Sequence, residues 1–205
     1  LISGYWSFSP IRANPVREDH PRRPVSRAGR LRKEQEDILL EAGAAVAFLP
    51  DFYGPGADMS FVHGAIEPLL RSRRGTWPGA YEAPREFLYI PDAGRILCDL
   101  AAQEEAYGKG WVVAAAGPIT PRRAVEAAAA YAGVRARVRE IGPGVMRAAG
   151  LFNRDIRLFA DIAPVYRNPV FFDATRLRGL LGSYHVTSYE IGLAATVDWL
   201  RPRRG

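Results

Sequence analysis

Apolar residues fall along this chain in short unbroken runs separated by stretches of helical spacing, a pattern that predicts strands alternating with helices. The clearest run, Ala44-Ala45-Val46-Ala47-Phe48-Leu49, follows a stop at Gly43 and is too short for a helix. Such a run suits a parallel strand buried on both faces. Leu1-Ile2-Ser3 and Trp111 to Ala115 have the same character, so the three are expected as neighbours in one sheet. Further strands are expected at Glu86 to Ile90, Val134 to Ile141 and Pro169 to Phe172. Helices are expected over 29–42, where Leu31, Ile38, Leu39 and Ala42 form an apolar stripe, over 61–72, and after a cap at Asp92. Others are expected from N-cap Thr120 and Pro121 to about Ala132, from Asp173 to Gly182, and from the capping box Thr187–Glu190 onward. Pro10 to Pro24, Pro50 to Ser60 and Trp77 to Pro84 are expected as loops. This alternation implies an α/β fold with a mainly parallel sheet.

A length of 205 residues with 48% hydrophobic content suits one domain, or a core domain with a small lobe. No stretch approaches the roughly 20 apolar residues of a membrane helix, and the N-terminus lacks a signal-peptide pattern, so a cytoplasmic protein with no membrane partner is expected. The chain opens on Leu1 inside an apolar strand, without methionine, and is expected to be a fragment. Cys98 stands alone and fits core packing. The net charge of +6 raises the question of a polyanionic partner. Its arginine clusters, 22–32 and 71–74, are not interleaved with the aromatic residues a base-stacking platform needs, so no nucleic-acid partner is expected. His63 and His185 have no ligand partners at metal spacing, and no metal is expected.

Four motifs then stand in order: Glu18-Asp19-His20-Pro21 leading to Arg30 and Glu36; Leu49-Pro50-Asp51-Phe52-Tyr53-Gly54-Pro55-Gly56; Arg85 to Asp92; and Thr187 to Trp199. Together they resemble the extended short-chain dehydrogenase/reductase superfamily, specifically its NAD-dependent epimerase/dehydratase family, over almost the whole chain. The resemblance implies the C-terminal part of a Rossmann-like doubly wound parallel sheet, with a small mixed α/β substrate lobe built mainly from about 53–85 and 117–200. The family's glycine-rich turn, which holds the cofactor pyrophosphate at a helix N-terminus, has no counterpart. Gly142-Pro143-Gly144 comes nearest, but Pro143 removes a backbone donor where donors are needed. NAD or NADP is thus expected as cofactor of the complete protein rather than of this chain alone.

The family's chemistry uses a tyrosine and a lysine four residues apart on one helix, plus a serine or threonine at the end of the preceding strand. The resemblance puts Ala28 at the tyrosine, Arg32 at the lysine and Gly4 at the serine or threonine, with Ser3 beside it. A guanidinium can hold a ribose but cannot exchange a proton near neutral pH. Tyr5 and Tyr53 are the remaining phenols that could serve from another direction. On the cofactor side the resemblance implies Ser3, Gly4, Arg32, Pro50 and Phe52; on the substrate side it implies Asp51, Tyr53 and Arg85, the last against a sugar-nucleotide diphosphate. Asp51, Phe52 and Tyr53 are expected to line the deepest cleft, with Arg85 on its wall. The function implied is epimerase, dehydratase or oxidoreductase chemistry on a sugar nucleotide or similar polar metabolite, with a degenerate catalytic site and a homodimer as the compatible assembly. The competing reading is a dinucleotide-binding sensor or interaction protein without turnover.

Overall fold

The computed structural model describes residues 1–57, 60–149, 151–152 and 160–201. In chain order its elements are β1 (Ile2–Ser3), α1 (Arg27–Glu41), β2 (Val46–Phe48), β3 (Asp51–Tyr53), α2 (Phe61–Leu70), β4 (Gly75–Pro78), β5 (Phe87–Tyr89), α3 (Ile90–Ala101), β6 (Gly110–Val112), α4 (Pro121–Ala132), β7 (Val138–Ile141), α5 (Pro143–Ala149), α6 (Thr175–Leu181) and α7 (Tyr189–Leu200). The three unbroken apolar runs form one parallel sheet in the order β1-β2-β6, with Ser3 opposite Phe48 and Phe48 opposite Val112. Val46, Ala47 and Phe48 are all buried, which explains why this central strand shows no polar alternation.

Proline then redirects the chain. Leu49 N still donates to Ser3 O at 2.9 Å, but Pro50 has no N–H to continue the ladder. The backbone resumes as β3, paired in parallel with β5 rather than with β1 or β6. Asp51 is thereby set just past the carboxyl ends of β1 and β2, where open α/β sheets bind ligands.

A third parallel pair, β4 with β7, includes Trp77 and Pro78, which the sequence placed in a loop. A four-residue strand bounded by glycine and proline carries almost no period-two signal, and Trp77 is fully buried by tertiary contact. The helix after Tyr89 also differs from expectation. Tyr89 is its N-cap position, and the buried Asp92 lies in the first turn, its carboxylate accepting from Thr187 N at 2.6 Å and Thr187 Oγ1 at 3.0 Å. Thr187 is therefore not a helix cap; Ser188 caps α7 by accepting from Ile191 N.

On α1 most of the expected stripe faces away from the core, with Leu39 half-buried against it and Leu31, Ile38 and Ala42 exposed. Leu31 and Ile38 are 49% and 65% exposed, whereas Gly29 and Glu36 are buried. Glu36 is enclosed because Ser3 Oγ donates to Oε1 and Arg22 Nη2 to Oε2, each at 2.5 Å. A second buried carboxylate, Glu86, accepts from Ala115 N at 2.6 Å and Phe172 N at 2.8 Å. Burial pushes its pKa above the usual carboxylate range, with the two N–H donors pulling the other way.

Two buried apolar clusters result. One surrounds the three-stranded sheet and includes Phe8, Phe48, Ile96, Trp111 and Leu177. The other joins β3, β4 and β5 to α2, α4 and α7 through Tyr53, Ile66, Trp77, Phe87, Val125 and Leu193. Part of the expected substrate lobe, 153–159, lies outside the described residues.

Gly192 gives the second cluster a sharp test. A Cβ there would lie 2.3 Å from the Tyr53 hydroxyl and 2.9 Å from its ring. Overpacking of this kind costs about 1–3 kcal/mol, or a melting point lower by roughly 2–10 °C for a chain this size. Gly192→Ala is expected to melt lower by that amount. Adding Tyr53→Phe should return part of the loss, because the buried Tyr53 hydroxyl has no hydrogen-bond partner among the described residues. Equal melting of wild type and Gly192→Ala would refute the packing.

Candidate functional site

The N-terminal turn of α1 lies directly against the segment that leaves β1. Ser26 Oγ caps the helix by accepting from Gly29 N at 3.0 Å, and a Cβ on Gly29 would come within 2.8 Å of Trp6 O. Ala28 and Arg32 follow one turn apart and both are half-buried. The Ala28 N–H donates to Asp161 Oδ2 at 2.9 Å. Arg32 makes no ion pair among the described residues. At the end of β1, Ser3 is 4% exposed with its hydroxyl committed to Glu36, while Gly4 is half-buried and an added Cβ would meet nothing within 4 Å. The helical spacing for a paired phenol and cation is present, but a methyl and a guanidinium stand there.

Beyond β2, three side chains from distant parts of the chain converge on one carboxylate, that of Asp51. Tyr5 Oη donates to Asp51 Oδ2 at 2.7 Å, and Arg85 Nη1 donates to the same oxygen at 3.1 Å. Tyr166 Oη donates to Asp51 Oδ1 at 3.2 Å. Arg85 Nη1 also donates to Tyr5 Oη at 3.1 Å, Nη2 reaches Asn168 O at 3.4 Å, and the guanidinium lies 4.8 Å over the Tyr166 ring. Burial, then the Asp51 carboxylate, pushes both phenols well above their ordinary pKa, with Arg85 pulling the other way. Tyr53 is raised too, by burial first and Asp92 second. All three phenols stay protonated at neutral pH, and Tyr5 and Tyr166 act as donors to Asp51.

Pro50 is buried and Asp51 and Phe52 are half-buried at this strand end. Tyr53 and Arg85 are placed differently from the cleft wall expected of them. Each is 1% exposed and enclosed by the core, Tyr53 because its ring packs on Tyr89 and Tyr189, and Arg85 because Asp51, Tyr5 and Tyr166 surround it. The turn after Tyr53 needs its glycine: Gly54 has φ +112°, and a Cβ there would strike the Tyr89 ring at 2.7 Å. Surface clefts of about 270 and 400 Å³ lie elsewhere, along Arg17, Glu18 and Arg176, with Asp173 lining the first and Asp19 the second.

Tyr166 and Asp161 are the residues that sequence reasoning missed. Tyr166 sits in a short 3-10 turn, Ala163–Arg167, with no motif to mark it. Among the described residues no group of three or more His, Cys, Asp or Glu is arranged to hold a metal ion, and no helix is long and apolar enough to cross a membrane. For a dinucleotide, the open space at Gly4 and an Arg32 without an ion pair among the described residues would leave room and a donor for a ribose, whereas none of Ser3, Gly4, Arg32, Pro50 and Phe52 forms a pyrophosphate-holding turn.

No protein-family model matches the chain, and no curated protein matches it. Solved structures do. A dTDP-glucose 4,6-dehydratase from Bacillus anthracis str. Ames, in complex with NAD, matches with TM-score 0.78 at 14% identity, over 99% of this chain and 61% of that one. UDP-glucuronic acid 4-epimerase from Bacillus cereus, in complex with UDP-glucuronic acid and NAD, matches with TM-score 0.77 at 19% identity, over 98% and 60%. RMD from Pseudomonas aeruginosa, complexed with NADPH, matches with TM-score 0.75 at 18% identity, over 98% and 65%. The chain thus spans about three-fifths of the length of these proteins. At such identities the likeness is one of fold: this chain has the Rossmann-like α/β fold of NAD- and NADPH-bound epimerase and dehydratase structures.

Proposed function

We propose that this chain is the substrate-side portion of an NAD(P)-dependent protein of the epimerase/dehydratase kind, directed at a sugar nucleotide or similar polar metabolite, with its proton-transfer set degenerate. The observation that carries the proposal is the stripe on α1. Ala28 and Arg32 occupy half-buried positions one turn apart beside the open Gly4, where a phenol, an ammonium and a hydroxyl would be required. A bound nicotinamide supplies hydride transfer; the chain's part is to hold its ribose through Arg32 and to wall the ring with Pro50 and Phe52. Neither Tyr5 nor Tyr53 replaces the missing base in this reading, because both are buried and held protonated.

The same stripe favours a second reading, dinucleotide binding without turnover. Fluorescence of NADPH on titration with the full-length protein, followed by absorbance on addition of candidate nucleotide sugars, separates the two. Binding with loss of the nicotinamide absorbance supports the first, binding without it the second, and no binding removes both.

A homodimer belongs to the proposal. Leu31 and Ile38, two turns apart on α1, are exposed and give a second copy an apolar face. Ile38→Glu is expected to shift the protein from dimer to monomer in size-exclusion chromatography with light scattering. A monomeric wild type would remove the dimer.

A further inference from the structure

The Asp51 cluster has the construction of an anion-binding site. Its donors come from three separate places: Tyr5 after β1, Arg85 before β5, and Tyr166 in the 3-10 turn. All three are 1–2% exposed, so their positions are fixed by packing before any ligand arrives. They deliver three hydrogen bonds of 2.7–3.2 Å to one carboxylate, and its charge balances the buried guanidinium. Asp51, with 17% of its side chain accessible, is the member of the cluster a ligand can reach.

We propose that Asp51 is a specificity-determining residue: its carboxylate occupies, as a built-in anion, the site formed by Arg85, Tyr5 and Tyr166, so this pocket selects an uncharged hydroxyl-bearing group and refuses a phosphate or diphosphate. A planar guanidinium offered to solvent favours phosphate oxygens. Here the guanidinium is sealed behind the aromatic rings and already matched by one negative charge, so an incoming phosphate meets the outer face of Asp51 and is repelled. A hydroxyl meeting the same face donates to a carboxylate lone pair without disturbing the pair behind it. This narrows the metabolite class proposed above and rests on that reading only in placing the ligand pocket at this strand end.

Two arms test it in the full chain. In the first, Asp51→Ala removes the built-in anion and leaves a gap the size of formate. Its melting temperature is expected to fall well below that of wild type and to recover when chloride is exchanged for formate at constant ionic strength, while wild type and the Asp51→Ala/Arg85→Gln variant do not respond. In the second arm, wild type and the neutral pair Asp51→Asn/Arg85→Gln are titrated with UDP-glucose. An affinity in the double variant at least equal to that of wild type is expected, because the repelling carboxylate is gone and Arg85 contributes no contact to the diphosphate; an affinity about tenfold or more lower in the double variant overturns the proposal. Failure of formate to raise the melting temperature of a folded Asp51→Ala also overturns it. If Asp51→Ala does not fold, the second arm decides alone. Absence of NADPH binding with formate rescue intact would remove the dinucleotide reading and leave this one standing.

Discussion

The Ala28→Tyr/Arg32→Lys variant of the full-length protein is expected to carry out single-turnover hydride transfer about 100- to 10,000-fold faster than the unmodified protein, the usual contribution of a positioned acid–base group. Hydride transfer to a carbonyl carbon leaves an alkoxide that must gain a proton, and the reverse reaction must lose one. Gly4 and Ala28 carry no titratable group, and the Arg32 guanidinium does not exchange its proton near neutral pH. Neither single substitution should suffice. A tyrosine without the neighbouring ammonium keeps a pKa near about 10, and a lysine without the phenol has no substrate oxygen to serve, so the effects are strongly non-additive. Gly4→Ser in the double variant should add to the rate, since a side chain at Gly4 enters open space. The measurement is the decay of nicotinamide absorbance in wild type, both single variants and the double. Turnover by the unmodified protein at about 1 per second, within the ordinary enzyme range, would sink the degenerate-site reading. Asp161, whose carboxylate touches the Ala28 N–H, would then be the first group to neutralise.

The parts of the fold legible in the sequence are those whose signals are local. β2 showed itself because a strand buried on both faces has no polar position, and α4 because Thr120 and Pro121 mark its start; the structure closes it at Gly133, which has a left-handed φ. What stayed hidden depends on pairing between remote segments. Leu31 and Ile38 looked like a core stripe, yet hydrogen bonds from Ser3 and Arg22 turn α1 so that Glu36 faces inward. β4 became a strand only because β7 runs beside it. The candidate site divides the same way. Asp51 and Phe52, and the Ala28, Arg32 and Gly4 positions proposed for the catalytic set, were marked by motif order, whereas the sealing of Arg85 needs Tyr166, 115 residues from Asp51 along the chain, which no spacing rule connects to it. A buried arginine and a phosphate-binding arginine are written with the same letter; the partner that separates them is tertiary.

Breaking the Asp51–Arg85 pair from its two ends should give unequal losses of stability. Arg85 is 1% exposed and Asp51 17%, so each variant strands a different survivor. Asp51→Asn leaves a guanidinium with no compensating charge and no route to water, and its Nε already lacks a hydrogen bond among the described residues. Losses of about 3–5 kcal/mol are typical when one partner of a buried pair is removed. Arg85→Met instead leaves a carboxylate that keeps hydrogen bonds from Tyr5 and Tyr166 and retains some contact with solvent, so the loss should fall below that range. The double variant Asp51→Asn/Arg85→Met removes both charges and should be close to wild type, since a buried pair replaced by neutral groups of similar size is often neutral or stabilising. Urea unfolding of the four proteins, fitted as a double-mutant cycle, yields a large coupling energy if this account holds. Additive losses, or a milder effect from Asp51→Asn than from Arg85→Met, would mean that the guanidinium reaches water or another anion, and the site would then be open rather than sealed.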